Sequence, residues 1–400
     1  MPDARSSPPT ATLRPLLPAL SVALPVVILA TTLISILLAV AETFSLTSAQ
    51  TSTLIVTCYG VSGLLSLSMT AAYRQPLFMI WNSSSLIFLA SLAGEYPYTD
   101  MMGATFAAGA AVLVLGLLGL SAWLARLIPP AIVLGILAGL VMPFVVRVFT
   151  DMDSEPLIVG ATVATFILGR RVLPPTIPAL LPAALVGFAT AALVGDVQGV
   201  STNATLPTVQ LLRPTFSWQA ILTISPVLIV LIAPLSNLTA VVILRGFRYT
   251  PPHRTIDVVT GTATMLSSLF APVPVAMGNF VTALTAGPDA GKHTRRHWSV
   301  YAASGSLVLL AMTASIAVDV LSVIPPELLF AVAGLALVTV FSYALAEVTK
   351  GPLRFGPLFA FVVASSRLSL AGFGPAFWAL VIGMAVTVVL ENREWRALRS

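Results

Sequence analysis

YRQPLFMIWNSSSLIFLASL, residues 73–92, decides the fold. The stretch is apolar enough to lie in a membrane, yet it cannot be one continuous helix. Pro76 lacks an amide proton and cannot continue a helix that begins before it. The polar cluster Asn82, Ser83, Ser84 and Ser85 then precedes LIFLASL. Asn and Ser are strong helix N-caps. The reading is an extended entry from Pro76 to Trp81, followed by a half-helix that starts near Asn82 or Ser83 at mid-membrane depth.

A second segment repeats this grammar. APVPVAMGNFVTALTAG, residues 271–287, has Pro272 and Pro274 enforcing an extended stretch, and Met277, Gly278, Asn279 and Phe280 at the turn into a second half-helix. The two lie about one repeat apart. IPPAIVLGILAGLVM starts at Ile128 and IPPELLFAVAGLALV at Ile324, an offset of 196 residues. Pro76 maps onto Pro272 at that offset, and Asn82 onto Asn279 one residue later. Two half-helix N-termini meeting at mid-membrane would present unsatisfied backbone N–H groups and two positive dipole ends. That is an anion site needing no basic side chain. Irregular backbone at such depth is tolerated only inside protein or beside a cavity.

Composition places the whole chain in lipid. Of 400 residues, 57% are hydrophobic and only 9% charged. Soluble domains carry roughly 25% charged residues. At about 20 residues per span, about fourteen apolar segments nearly use up the chain. The fold class expected is therefore an all-α polytopic membrane protein, with about fourteen transmembrane segments in a 7+7 inverted repeat and two half-helices preceded by short extended stretches. Seven spans per half is odd, so the second half inserts upside down. A tail at 1–15, one membrane domain at 16–390 and a tail at 391–400 complete the division.

Loop charge tests the count. With both termini cytoplasmic, every one of the 20 basic residues except Arg147, Arg213 and Arg367 falls on the cytoplasmic side. Positive charge accumulates inside. The net charge of +5 thus reads as a topology signal and not as a nucleic-acid surface. The expected location is a bacterial cytoplasmic (inner) membrane, with lipid as a partner and no nucleic acid.

Enzyme chemistry is not expected. The three histidines, His253, His293 and His297, fall in the predicted cytoplasmic loops with no acidic pair facing them, and no P-loop appears. The single cysteine, Cys58, sits in an apolar run and reads as a core residue. No metal or cofactor is expected. Further polar residues fall in APLSNLTAVVIL from Ala233, where Pro234 kinks the eighth run and exposes Ser236 and Asn237 as candidate ligand contacts. Two charges are candidates for coupling: Asp257 near the inner end of the ninth run, and Arg367, the most deeply placed. A charge within a membrane helix is a functional candidate by default.

At these segments the chain resembles the benzoate/proton symporter family (BenE-like), within the wider uracil-transporter (UraA-like) and SulP fold group. The resemblance rests on YRQPLFMIW around Pro76, IPPAIVLGILAG, LGRRVLPPTIPAL around Arg170, VILRGFRYTPP around Arg245, TALTAGPDA around Gly287 and LSLAGFGPAFWALVIG near the C-terminus. It is collinear over nearly the whole chain. It implies a core domain at 16–124 and 217–318 and a gate domain at 129–195 and 325–390, with substrate between the third and tenth spans. It implies secondary active transport of an aromatic carboxylate such as benzoate, by proton symport with an elevator-like or rocking motion of core against gate. A channel or facilitator, or a carrier of a nucleobase or inorganic anion on the same scaffold, is the alternative. A homodimer is implied by analogy. Candidate substrate contacts are Trp81, Asn82, Ser83, Ser84, Ser85, Ser236, Asn237, Met277, Gly278, Asn279 and Phe280, with Trp81 or Phe280 placed to stack on an aromatic ring. Two departures stand out: LSNLTA has Ser236 where the family pattern has Gln, and the Glu that UraA-like transporters carry nearby is missing.

Overall fold

A computed structural model describes residues 17–174, 178–194, 207–321 and 324–399. The expected tail at 1–15 lies outside the described residues. The chain is helical almost throughout. In the first half come α1 (Leu17–Thr43), α2 (Ser48–Val56), α3 (Ser62–Tyr73), the strand β1 (Met79–Trp81), α4 (Ser83–Ser91), α5 (Tyr98–Leu118), α6 (Ser121–Leu127), α7 (Pro130–Ser154), α8 (Pro156–Val172) and α9 (Leu180–Val194). The second half follows with α10 (Trp218–Ile232), α11 (Thr239–Gly246), α12 (His253–Ser267), β2 (Val275–Met277), α13 (Asn279–Ala286), α14 (His297–Met312), α15 (Ala314–Leu321), α16 (Pro326–Lys350), α17 (Phe355–Ser365), α18 (Pro375–Leu390) and α19 (Asn392–Arg399).

Among the described residues, six helices are long and apolar enough to cross a membrane: Val22–Thr43, Ser48–Tyr73, Tyr98–Leu118, Pro130–Ser154, Trp218–Gly246 and Pro326–Lys350. Two of these are continuous only because a π-turn splices their halves. Thr57–Val61 joins α2 to α3, and Ala233–Leu238 joins α10 to α11. The second splice follows from Pro234, which has no N–H to give and whose ring pushes back the carbonyl one turn earlier. The Ser236 hydroxyl donates to the Leu231 carbonyl at 2.8 Å. The apolar stretch at 98–127 is divided between two helices. Gly119 takes a left-handed conformation (φ +72°), ends α5, and leaves α6 as a separate short helix.

The inverted repeat is visible at its centre. β1 and β2 pair antiparallel in the register Met79↔Met277, Ile80↔Ala276 and Trp81↔Val275. At the 196-residue offset Ile80 pairs with its own counterpart, so the pseudo-two-fold axis passes between Ile80 and Ala276. Flanking hydrogen bonds obey the same symmetry: Asn82 N–H donates to the Pro274 carbonyl (2.7 Å) and Gly278 N–H to the Phe78 carbonyl (3.0 Å). The helices α7 and α16 begin at Pro130 and Pro326 and each run for 25 residues. One detail of the sequence alignment is corrected. The counterpart of Asn82 is Gly278, because each is the N-cap of its half-helix. Asn279 is the first helical residue and matches Ser83.

Lipid is as apolar as leucine, so helices in it associate by close packing and not by burial alone. The α5–α12 contact shows this best. A Cβ at Gly261 would lie 2.5 Å from the Leu113 amide nitrogen and 2.8 Å from the Gly109 carbonyl oxygen, so only glycine lets the two backbones meet. In the same way α7 packs on α16 and α17, and α17 on α18, while α14 packs on α1 and α3.

Candidate functional site

The two half-helices start side by side at the strand pair. α4 is capped by its own side chain: Asn82 Oδ1 accepts the Ser85 amide at 2.9 Å. The N-cap of α13 is Gly278, which has no side chain to offer the first turn. The first-turn amides of any helix lack an intrahelical partner. At α13 they also lack a side-chain cap, so the positive end of that half-helix is the less neutralised of the two. On the two half-helices, Ser85 Oγ of α4 and Asn279 Oδ1 and Thr282 Oγ1 of α13 are buried and make no hydrogen bond within the protein. Buried polar atoms are nearly always paired, so these three leave hydrogen-bonding capacity free for a ligand.

The π-turn of the α10–α11 span fastens this centre through three consecutive residues. Leu235 accepts Asn279 Nδ2 at its carbonyl (3.0 Å). Ser236 Oγ accepts Asn82 Nδ2 (2.8 Å). Asn237 Oδ1 accepts the Met277 amide (2.9 Å). One of the three contacts uses a main-chain carbonyl and two use side chains. Ser236 therefore serves the site by holding Asn82 in place.

Sequence-derived candidates divide by environment. Asn82, Ser83, Ser84, Gly278 and Asn279 are partly accessible, while Ser85 and Asn237 are fully buried. Met277 lies in β2 and is buried. Of the two aromatic candidates, Phe280 is 64% exposed and Trp81 only 2%. Trp81 packs edge-on against Tyr59, with ring centroids 6.2 Å apart, and its amide donates to Ser62 Oγ (2.8 Å). The exposed ring at the half-helix ends is Phe280. Cys58 is buried beside Tyr59, as a core residue should be.

The coupling candidates part company. Asp257, one turn into α12, is 1% exposed and joined to the π-turn: Asn237 Nδ2 donates to its Oδ1 at 2.9 Å. Ser121 of α6 donates to the other oxygen at 2.6 Å. Arg367 sits far from this network. It lies exposed on the turn after α17 in a left-handed conformation (φ +54°), with Glu95 as an electrostatic neighbour. One histidine does meet a single carboxylate that the sequence reading did not join to it: His253 Nε2 lies 3.3 Å from Asp257 Oδ2. The i,i+4 spacing of the two on one helix was the available signal. The Ser121 contact and the Thr57–Val61 π-turn had no counterpart in the pattern.

A family model described as "Benzoate membrane transport protein" matches residues 16–389. The inner membrane protein YdcO of Escherichia coli is 26% identical over 333 residues, covering 82% of this chain and 84% of its own. A benzoate membrane transport protein of Acinetobacter baylyi is 23% identical over 324 residues, covering 80% and 82%. Among solved structures, the transmembrane domain of the cyanobacterial bicarbonate transporter BicA superposes with a TM-score of 0.57 at 15% identity, over 94% of this chain and 97% of that one. SLC26A9 does so with a TM-score of 0.60 at 12% identity, over 93% and 64%. At such identities these structures share the fold.

Proposed function

The chain belongs to the benzoate membrane transport protein family, and from that premise we propose that it is a secondary active carrier of benzoate or a closely related aromatic carboxylate, driven by proton symport. The supporting observation is the paired half-helix ends. They offer an anion first-turn amides from α4 and an uncapped α13, three buried polar atoms without partners, and the exposed ring of Phe280. A carboxylate takes up the amides and an aryl group packs against the ring. Asn82, Ser83, Ser84, Ser85, Gly278, Asn279 and Phe280 form the contact set in this reading. Ser236, Asn237 and Met277 position them, and Trp81 backs the strand.

The packing described above supports a division into a core at 16–124 and 217–318 and a gate at 129–195 and 325–390. Transport then moves the core, with the strand pair at its centre, past the gate. In this reading the shorter helices complete fourteen spans in a bacterial inner membrane, both termini are cytoplasmic, and two copies associate. The experiment is uptake of labelled benzoate by proteoliposomes under an imposed pH gradient, beside a thermal-shift screen against aromatic and aliphatic carboxylates, nucleobases and inorganic anions. Ligands that bind the folded state raise its apparent stability. Saturable, gradient-driven benzoate uptake is the expected result; stabilisation by nucleobases or inorganic anions alone overturns it.

A further inference from the structure

The two strands at the centre are held symmetrically except at one point. In the first half, hydroxyls of α3 hold β1 directly: Ser66 Oγ accepts the Met79 amide (2.8 Å), and Ser62 Oγ accepts the Trp81 amide (2.8 Å). In the second half, Thr264 Oγ1 of α12 accepts the Val275 amide at 3.0 Å, repeating the first of these bonds. The second is not repeated. Thr260 stands where Ser62 stands in the first half, but the Met277 amide goes to Asn237 instead (2.9 Å). Asn237 then spends both amide hydrogens on α12, one on Thr260 Oγ1 (2.8 Å) and one on Asp257 Oδ1 (2.9 Å). The asymmetry inserts a carboxylate, two hydrogen bonds removed, behind the strand that leads into the uncapped half-helix.

Resting on the carrier reading above, we propose that Asp257 is the residue whose protonation is coupled to anion binding, with His253 exchanging its proton and Asn237 passing its state to Met277. Two physical effects act in the same direction. An ionised Asp257 in a poorly polarisable interior repels an anion at the nearby half-helix ends. It also grips Asn237 through a charge-assisted bond, about twice as strong as a neutral one. A proton on Asp257 removes the repulsion and relaxes the grip on β2. Proton and anion then favour each other's binding, and that linkage is reciprocal. His253, the first residue of α12, bridges surface and interior: its side chain is 21% exposed, while its Nε2 is buried without a hydrogen bond and stands 3.3 Å from Asp257 Oδ2.

Nothing else among the described residues competes for the carboxylate's charge. α5 packs its Gly116 backbone against Asp257 and carries its own acid, Asp100, in its first turn at the opposite end. α6 contributes the neutral Ser121. On α12, Arg254 is exposed and turned to Gly119. Arg245 of α11 is exposed.

The test separates binding from coupling in proteoliposomes. Benzoate counterflow at equal pH needs the carrier but no proton gradient. Accumulation under a one-unit pH gradient, for one coupled proton, reaches about tenfold. Asp257→Asn should keep counterflow, lose accumulation and flatten the pH dependence of benzoate binding; Asp257→Glu should restore both. Asp257→Asn that accumulates like wild type overturns the proposal. So does loss of counterflow in both variants, which makes the carboxylate structural. If Asp257→Asn does not fold, His253→Gln decides: a shifted pH profile with counterflow kept supports the proposal, and an unchanged profile overturns it. Wild-type protein without benzoate counterflow overturns the carrier reading itself, and this inference with it.

Discussion

Asn82 and Ser236 are 154 residues apart in the chain and 2.8 Å apart in space, the Asn82 amide donating to the serine hydroxyl. This bond ties the first half-helix to a span of the second repeat, and Asn279 ties the second half-helix to the neighbouring Leu235 carbonyl. Both half-helices are therefore fastened to the same π-turn. Losing an N-cap costs about 1 kcal/mol, and stranding a buried partner costs about 1–3 kcal/mol more. Asn82→Leu and Asn279→Leu are expected to lower benzoate uptake roughly tenfold or more, with membrane insertion and monodispersity in detergent unchanged. Normal uptake by both variants counts against a site at the half-helix ends.

Close approach of α5 and α12 gives a prediction about stability alone. Gly261→Ala puts a methyl group 2.5 Å from the Leu113 amide nitrogen. Overpacking of this kind costs about 1–3 kcal/mol, read as a lower melting temperature of the purified protein. Gly160→Ala is the control. It has open space around its Cβ position, and alanine favours a helix by up to about 1 kcal/mol, so its melting temperature should hold or rise.

Glu95, on the loop between α4 and α5, predicts a pH dependence. Burial pushes its carboxyl above the ordinary glutamate value of 4.5, and Arg367 partly opposes the shift. One of its carboxylate oxygens lies 2.5 Å from where a Cβ on Gly374 would stand, and the neighbouring Tyr96 hydroxyl accepts the Gly374 amide at 3.0 Å. A raised carboxyl binds its proton more tightly in the folded state. Its contribution is thus present at low pH and is lost as pH rises through the raised value. Glu95→Gln should flatten the melting temperature over that window, from 4.5 upward. Arg367→Ala should move the window higher, because the opposing charge is gone. A wild-type pH profile in Glu95→Gln contradicts both.

How much of this was legible follows from which forces speak locally. Pro76, Asn82 and Ser83 announce a break and a cap through their own backbone chemistry, and the half-helix begins at Ser83. The repeat was legible from Ile128 and Ile324, because proline suits the first position of a helix, and Pro130 and Pro326 each open one. Its fine register was not: Asn279 looked like the partner of Asn82 by residue type, while the backbone makes Gly278 the cap. The family pattern and the half-helix reading were therefore sound guides to the fold. What stayed hidden was tertiary. Ser121 is 136 residues from Asp257, and no spacing rule joins them. Arg367 looked deeply placed because its run is apolar, but α17 ends at Ser365, two residues before it.

The two aromatic candidates separate binding from folding, and they do so in opposite senses. Phe280 is 64% exposed at the entry to α13, so removing its ring deletes little internal contact. If it stacks on the substrate, Phe280→Ala weakens benzoate binding by the worth of one aromatic contact, about 0.5–1.5 kcal/mol, and leaves the melting temperature of the ligand-free protein where it was. Trp81 is buried on Tyr59 behind β1. Trp81→Ala opens a cavity, and such truncations cost about 3–5 kcal/mol, so its ligand-free protein should melt well below wild type. A thermal-shift titration with benzoate reads both numbers on one sample. A Phe280→Ala protein that binds benzoate as tightly as wild type removes the ring from the substrate's surroundings. The carboxylate half of the site would then rest on the α4 and α13 amides alone.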